Sequence, residues 1–219
     1  MQEFLQSDAL IASDHPKVVA QTQACAGRGD ARAKAVNIYY WVRDEIRYNP
    51  YSFAPTPDHL KADITLAAAE GWCVPKAILM AAMCRAAGIP TAVGFADVKN
   101  HLSTARLRAQ MKTDVFYYHG YCALYLDDQW VKATPAFNRE LCEKFALKTL
   151  EFDGLSDSLY HPFDLSGQRH MEYIHDHGQF AEVPVADMYA KFDLVYGNMM
   201  GADATQWEAD VASEITTSQ

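Results

Sequence analysis

The sequence predicts an α+β fold in which a block of helices leads to a central buried helix and then to an antiparallel sheet. Three observations carry this. Residues 74–87, VPKAILMAAMCRAA, are apolar nearly all round, as a helix surrounded by other elements must be. Residues 91–97 and 115–126 read as strands, and Asp127-Asp128 turns the second into a third over 129–133. Helices followed by strands, without alternation between the two, argue for segregated layers and against a doubly wound sheet.

The elements follow in order. Asp14-His15-Pro16 starts a helix of small and polar residues, and Asp30 caps a longer one over 31–48. In the second, Val36, Ile38, Tyr39, Tyr40, Val42 and Ile46 recur at near-helical spacing. Residues 49–58, NPYSFAPTPD, carry three prolines and must be an irregular connection. Asp63 and Thr65 precede a short turn or helix over 66–70, ahead of a bend at Gly71-Trp72-Cys73. Pro75 suits the first turn of the central helix and Gly88 its C-terminal cap. Residues 139–190 form a Gly-, His- and Asp-rich extension without a clear period, and 201–219 read as a polar helix or frayed tail. The expected organisation is one domain over 1–200, with a core at about 31–140, an elaboration at about 141–200, and a polar tail over 201–219.

Composition bounds the function. A chain of 219 residues with 50% apolar content can bury one substantial core. A net charge of -9 without a dense Lys/Arg tract argues against nucleic acid or an anionic membrane surface as partner. The opening MQEFLQSDALI lacks a basic region and a long apolar run, so a cytoplasmic location is expected. Cys25, Cys73, Cys84, Cys122 and Cys142 are odd in number and lack CxxC spacing, which disfavours a disulfide framework and a structural zinc site. Cysteines of this kind are usually small buried hydrophobes, and the context of Cys73 alone reverses that.

Cys73 opens the apolar helix. A helix N-terminus offers unpaired N–H groups and the positive end of the dipole, which favour thiolate and could also hold an oxyanion. His119, on a strand with Phe116, Tyr118, Tyr121 and Tyr125, is the candidate base, held in register by a stiff element. Trp72 is a candidate wall of the acyl site, and Lys76 is expected to face solvent. The second oxyanion donor is expected to be a backbone group or a Tyr. The segment 168–178, QRHMEYIHDHG, brings a rival possibility: His170, Glu172, His175, Asp176 and His177 are of the right types for a metal, although a hydrogen-bonded polar loop is the expected outcome. Arg169 or His170 could instead reach the Cys73 cleft as substrate contacts.

The segment GWCVPKAILMAAMCRAAGIPTAVGF resembles the thiol segment of the transglutaminase-like superfamily. The shared features are Gly71, Cys73, Ala77, and the helix exit Arg85-Ala86-Ala87-Gly88-Ile89-Pro90. His119, Trp130 and Thr134-Pro135-Ala136 are similar to the family's second motif, a strand His followed by a hairpin and a Trp leading to Asp-Pro-Thr. The resemblance spans about 31–140. It implies a papain-like core, with the thiol at the N-terminus of a central helix packed on an antiparallel sheet, and a cysteine-dependent enzyme without cofactor or metal. The implied chemistry is acyl transfer on a small-molecule, peptide or protein amide, by hydrolysis or transfer to an amine. Thr134 stands where the family has Asp and cannot supply its charge. Asn138, four residues on, is the chemical alternative as third member, and Asp153 is a more distant one. The alternative functions are an inactive binding protein of the same fold and a metal-binding protein using 170–177. The sequence leaves the oligomeric state open.

Overall fold

The computed structural model describes residues 1–100, 104–160, 165, 167, 171–197 and 204–217. Helices α1 (Pro16–Cys25), α2 (Ala31–Glu45) and α3 (Ala62–Ala68) precede α4 (Cys73–Ala86). Strands β1 (Arg47–Tyr48) and β2 (Glu70–Gly71) form a two-residue parallel pair, joining Tyr48 to Gly71. A four-stranded antiparallel sheet follows, built from β3 (Thr91–Asn100), β4 (Val115–Leu126), β5 (Gln129–Ala133) and β6 (Met171–Phe180) in the order β5-β4-β3-β6. Helix α5 (Ala105–Met111) lies between β3 and β4, α6 (Arg139–Lys144) follows β5, and α7 (Val185–Tyr196) and α8 (Trp207–Thr217) close the chain. The α+β architecture is as the sequence predicts.

Helix α4 is the hub, packed by α1, α2 and α3 on one side and by β4 and β3 on the other. It has no polar face: every residue from Cys73 to Arg85 is buried. Gly88, just past its end, takes φ +79°, a left-handed conformation that costs glycine little. Arg85 is anchored by carbonyls, donating to Thr91 O at 2.8 and 2.9 Å, to Gln6 O at 2.6 Å and to Ala181 O at 2.7 Å. One guanidinium thus ties the exit of α4 to the start of β3, the N-terminal segment and the end of β6. The Asp127-Asp128 hairpin has φ +47° and +64°, the left-handed pair that a two-residue turn matching strand twist requires.

Several expectations need correction. Lys76 does not face solvent: it is fully buried, and its Nζ donates to Arg43 O at 3.0 Å and more closely to Ile46 O, capping the end of α2. Helix α2 stops at Glu45 because β1 begins at Arg47. The extension after 139 contains β6, a full partner of β3, and α7. Of the two expectations for the C-terminal stretch the helix is the one found, over Trp207–Thr217, and it is docked: Trp207 and Val211 are buried, and Asp210 accepts a 2.7 Å hydrogen bond from the Tyr51 hydroxyl. No helix among the described residues is long and apolar enough to cross a membrane.

Candidate active site

The thiol is positioned from two directions. The parallel pair Tyr48–Gly71 fixes the bend before Trp72-Cys73, helped by Asn49 N–H donating to Gly71 O at 3.0 Å. From the other side, β4 passes directly against the first turn of α4. A Cβ on Gly120 would lie 3.0 Å from both Cys73 O and Val74 Cα, so only glycine allows this approach without displacement. The residue before this contact is His119. The backbone N–H groups of Gly120, Val74 and Cys73 itself favour the thiolate form of the sulfur. The first turn of the helix and the strand that carries the histidine therefore meet at the sulfur.

Burial opposes these N–H groups. Cys73 is 3% exposed, and loss of solvation pushes its thiol up to about 12 despite the three donors. Desolvation thus acts against the helix terminus and favours a sulfur that keeps its proton. A base is then needed to remove it. His119 is also 3% exposed, with its ring edge-on to Tyr160 at 5.7 Å.

A narrow apolar cleft leads to the sulfur: about 30 Å³ of it could hold water, within about 400 Å³ that includes the open solvent at its mouth. Its walls are Tyr48, Pro50, Phe53, Trp72, Leu107, Met111, Phe116, Tyr117 and Tyr196, with Cys73 among them. Trp72 lines this cleft, braced by Phe53 at 5.3 Å and Phe192 at 5.7 Å. Helices α5 and α7 supply the roof through Leu107, Met111 and Tyr196.

The expected third members separate. Thr134 is 1% exposed and follows directly after β5, where continued pairing from Cys122–Ala133 would set it opposite Tyr121, two residues from His119. Its Oγ1 makes no hydrogen bond of good geometry among the described residues, although the Tyr173 hydroxyl lies beside it. Asn138 is occupied elsewhere, because its Oδ1 accepts from Tyr48 N–H at 3.2 Å and so fastens β1. Asp153 sits in an exposed turn, accepting from Leu155 and Ser156 N–H at 2.8 and 2.9 Å. Arg169 and His170 lie outside the described residues.

The histidine-rich strand serves the sheet. His177 Nε2 and Asp97 Oδ1 are 2.7 Å apart, and the same oxygen accepts from Tyr118 N–H at 3.0 Å. The Tyr118 and His177 rings stack at 4.1 Å and 11°. These contacts hold Tyr118 at φ +55°, a strained value for a tyrosine, at the β3–β4 register shift immediately before His119. His175 lies edge-on to His177 at 4.6 Å, and Asp176 is 3.3 Å from Lys132 Nζ. Among the described residues no group of three potential ligands converges as a metal site would need. Sequence reasoning missed Tyr48, Gly120, Asp97 and Tyr118; the small residue after His119 was the available signal for the close approach.

The family model of the transglutaminase-like superfamily matches residues 19–135, more than half of the chain. The chain belongs to this superfamily. A solved structure of a "putative cysteine protease" from Cytophaga hutchinsonii is similar at 18% identity and a TM-score of 0.46, over 80% of this chain and 53% of that one. This chain thus spans about half the length of that relative. No curated protein matches.

Proposed function

We propose that the chain is a cysteine-dependent acyl-transfer enzyme acting on an amide, with Cys73 as nucleophile and His119 as acid and base. The observation that carries this reading is the buried Cys73 at the α4 N-terminus, packed against the backbone of Gly120, the residue after His119, and lining an apolar cleft. His119 takes the thiol proton as the sulfur–carbon bond forms, and the carbonyl becomes an oxyanion facing the N–H groups of the helix terminus. Collapse breaks the carbon–nitrogen bond, and His119 returns the proton to the departing amine, leaving a thioester. Water, or a second amine, then attacks the thioester while His119 takes its proton. The product leaves and the thiol is restored.

Thr134 is the proposed third member, by its place in the motif and its position beside β4. A neutral hydroxyl would orient the imidazole but would not stabilise imidazolium as a carboxylate does. The substrate is a small-molecule, peptide or protein amide. The test is acylation with a library of amides and activated esters, read as adduct mass on the intact protein. One adduct, mapping to Cys73 and absent in Cys73→Ala, is expected, with acylation at least about 100-fold slower in His119→Gln. An adduct on another cysteine, or none, would overturn the reading. The second reading, a binding protein of this fold, is favoured by the missing carboxylate at Thr134; it predicts ligands that occupy the cleft without acylating Cys73.

A further inference from the structure

We propose that the Cys73 cleft receives an uncharged aromatic or branched aliphatic acyl group, and that the Tyr48 hydroxyl is the side-chain donor to the substrate carbonyl oxygen. This rests on the acyl-enzyme reading above and gives that site a substrate class.

The walls decide the acyl group. None of the ten cleft residues carries a charge, so a carboxylate or ammonium taken out of water has no partner in the walls themselves; Lys191, with its Nζ 4.1 Å from the Tyr117 ring centroid, lies outside the lining. The roof is equally apolar: Leu107 and Met111 of α5 are 2% and 3% exposed. One polar wall residue is already committed. The Tyr196 hydroxyl donates to Val115 O at 2.9 Å and accepts from Tyr117 N–H at 2.7 Å, so its oxygen is tied to β4.

Tyr48 is different. Its backbone is fixed on both sides, by the pairing to Gly71 and by Asn138 Oδ1, and its ring is clamped edge-on by Phe137 at 4.7 Å and Trp207 at 6.0 Å. Its hydroxyl makes no hydrogen bond to any described residue, and the residue lines the cleft together with Cys73. Burial, with the nearby sulfur adding to it, holds the phenol well above its ordinary range, so it keeps its proton through the pH range of the chemistry. A rigid O–H donor unpaired among the described residues, in an apolar cleft it shares with the nucleophile, suits a developing oxyanion. The hydroxyl donates a hydrogen bond and transfers no proton; proton movement stays with His119.

The experiment compares p-nitroanilides of N-acetyl-phenylalanine, -leucine, -glutamate and -lysine on the full chain, with thioester mass on Cys73 as a second readout. The Phe and Leu substrates should exceed the Glu and Lys substrates in kcat/KM by at least about 30-fold, because a charged group would enter a cleft without a partner. Tyr48→Phe should lower kcat about 10- to 100-fold with KM within twofold, and leave the thermal melt unchanged because the hydroxyl has no described partner to lose. Met111→Lys should narrow the gap between the Phe and Glu substrates by placing a cation in the roof. Equal rates across the four substrates would overturn the acyl class, and an unchanged kcat in Tyr48→Phe would overturn the role of the hydroxyl. No Cys73 adduct with any of the four, nor with the wider library, would overturn the acyl-enzyme reading itself.

Discussion

Replacing Lys76 by Met should remove a pH dependence of stability that the wild-type chain carries between about pH 7 and 9. Burial of the ammonium pulls its folded value down from 10.5 to about 7, although the carbonyls of Arg43 and Ile46 at the end of α2 favour the charged form. The sign follows from proton counting. Between the two values the unfolded chain keeps the Lys76 proton and the folded chain has released it, so raising the pH favours the fold; below about 7 both states hold the proton and the whole cost of burying the ammonium is present. One pH unit is worth about 1.36 kcal/mol, so the span from pH 7 to 9 is worth at most about 2.7 kcal/mol, and the carbonyl contacts reduce it to about 1–2 kcal/mol. Several buried thiols, Cys73 and Cys122 among them, oppose this above pH 9, because burial raises them and only the unfolded chain ionises there. The assay is therefore a difference: urea melts of wild type and Lys76→Met at half-unit steps from pH 6.5 to 9. Wild type should gain about 1–2 kcal/mol relative to the variant over that range. A flat difference would refute the claim that the thiol helix carries a desolvated amine against the end of α2.

Other outcomes follow from the same packing. Gly120→Ala forces a Cβ to 3.0 Å from Cys73 O and Val74 Cα, and should cost about 1–3 kcal/mol by urea melt while slowing Cys73 acylation more than a surface change of equal destabilisation. Asp97→Ala removes the acceptor shared by Tyr118 N–H and His177, and should cost about 1–3 kcal/mol; a loss under about 0.5 kcal/mol would show that the strained Tyr118 does not depend on it. Asp128→Gly relieves a non-glycine residue at φ +64° in the hairpin and should raise stability by about 0.5–1 kcal/mol, measured as a higher urea midpoint at unchanged slope.

Much of the fold was readable because its signals are local. An apolar run bounded by Pro75 and Gly88 becomes a buried helix wherever it is placed, and Asp127-Asp128 between two apolar strands has few alternatives to a tight turn. The pairing of Cys73 with the strand of His119 was legible through the motifs on both segments. Long-range roles were not. Lys76 looks like a solvated lysine until the end of α2 arrives above it, and Asn138 resembles a catalytic amide until Tyr48 N–H claims its oxygen. Strand β6 escaped because an edge strand with most residues outward shows little apolar alternation, only Met171 being buried. The burial that raises the thiol was missed because it is a long-range property, set by the elements that pack around the start of α4.

That roof also changes what a labelling rate reports. Solvent reaches only 3% of the Cys73 residue surface, so if access to the sulfur requires α5 and α7 to part, a bulk alkylating reagent meets it only during such excursions. Labelling would then behave like hydrogen exchange from a protected amide: its speed measures how often the cover lifts and, until opening becomes limiting, how reactive the sulfur is while uncovered. A substrate that props the roof apart supplies its own opening, so good acyl donors should outpace small reagents of greater intrinsic reactivity. The same closure would shelter the nucleophile from peroxide and disulfide exchange between turnovers.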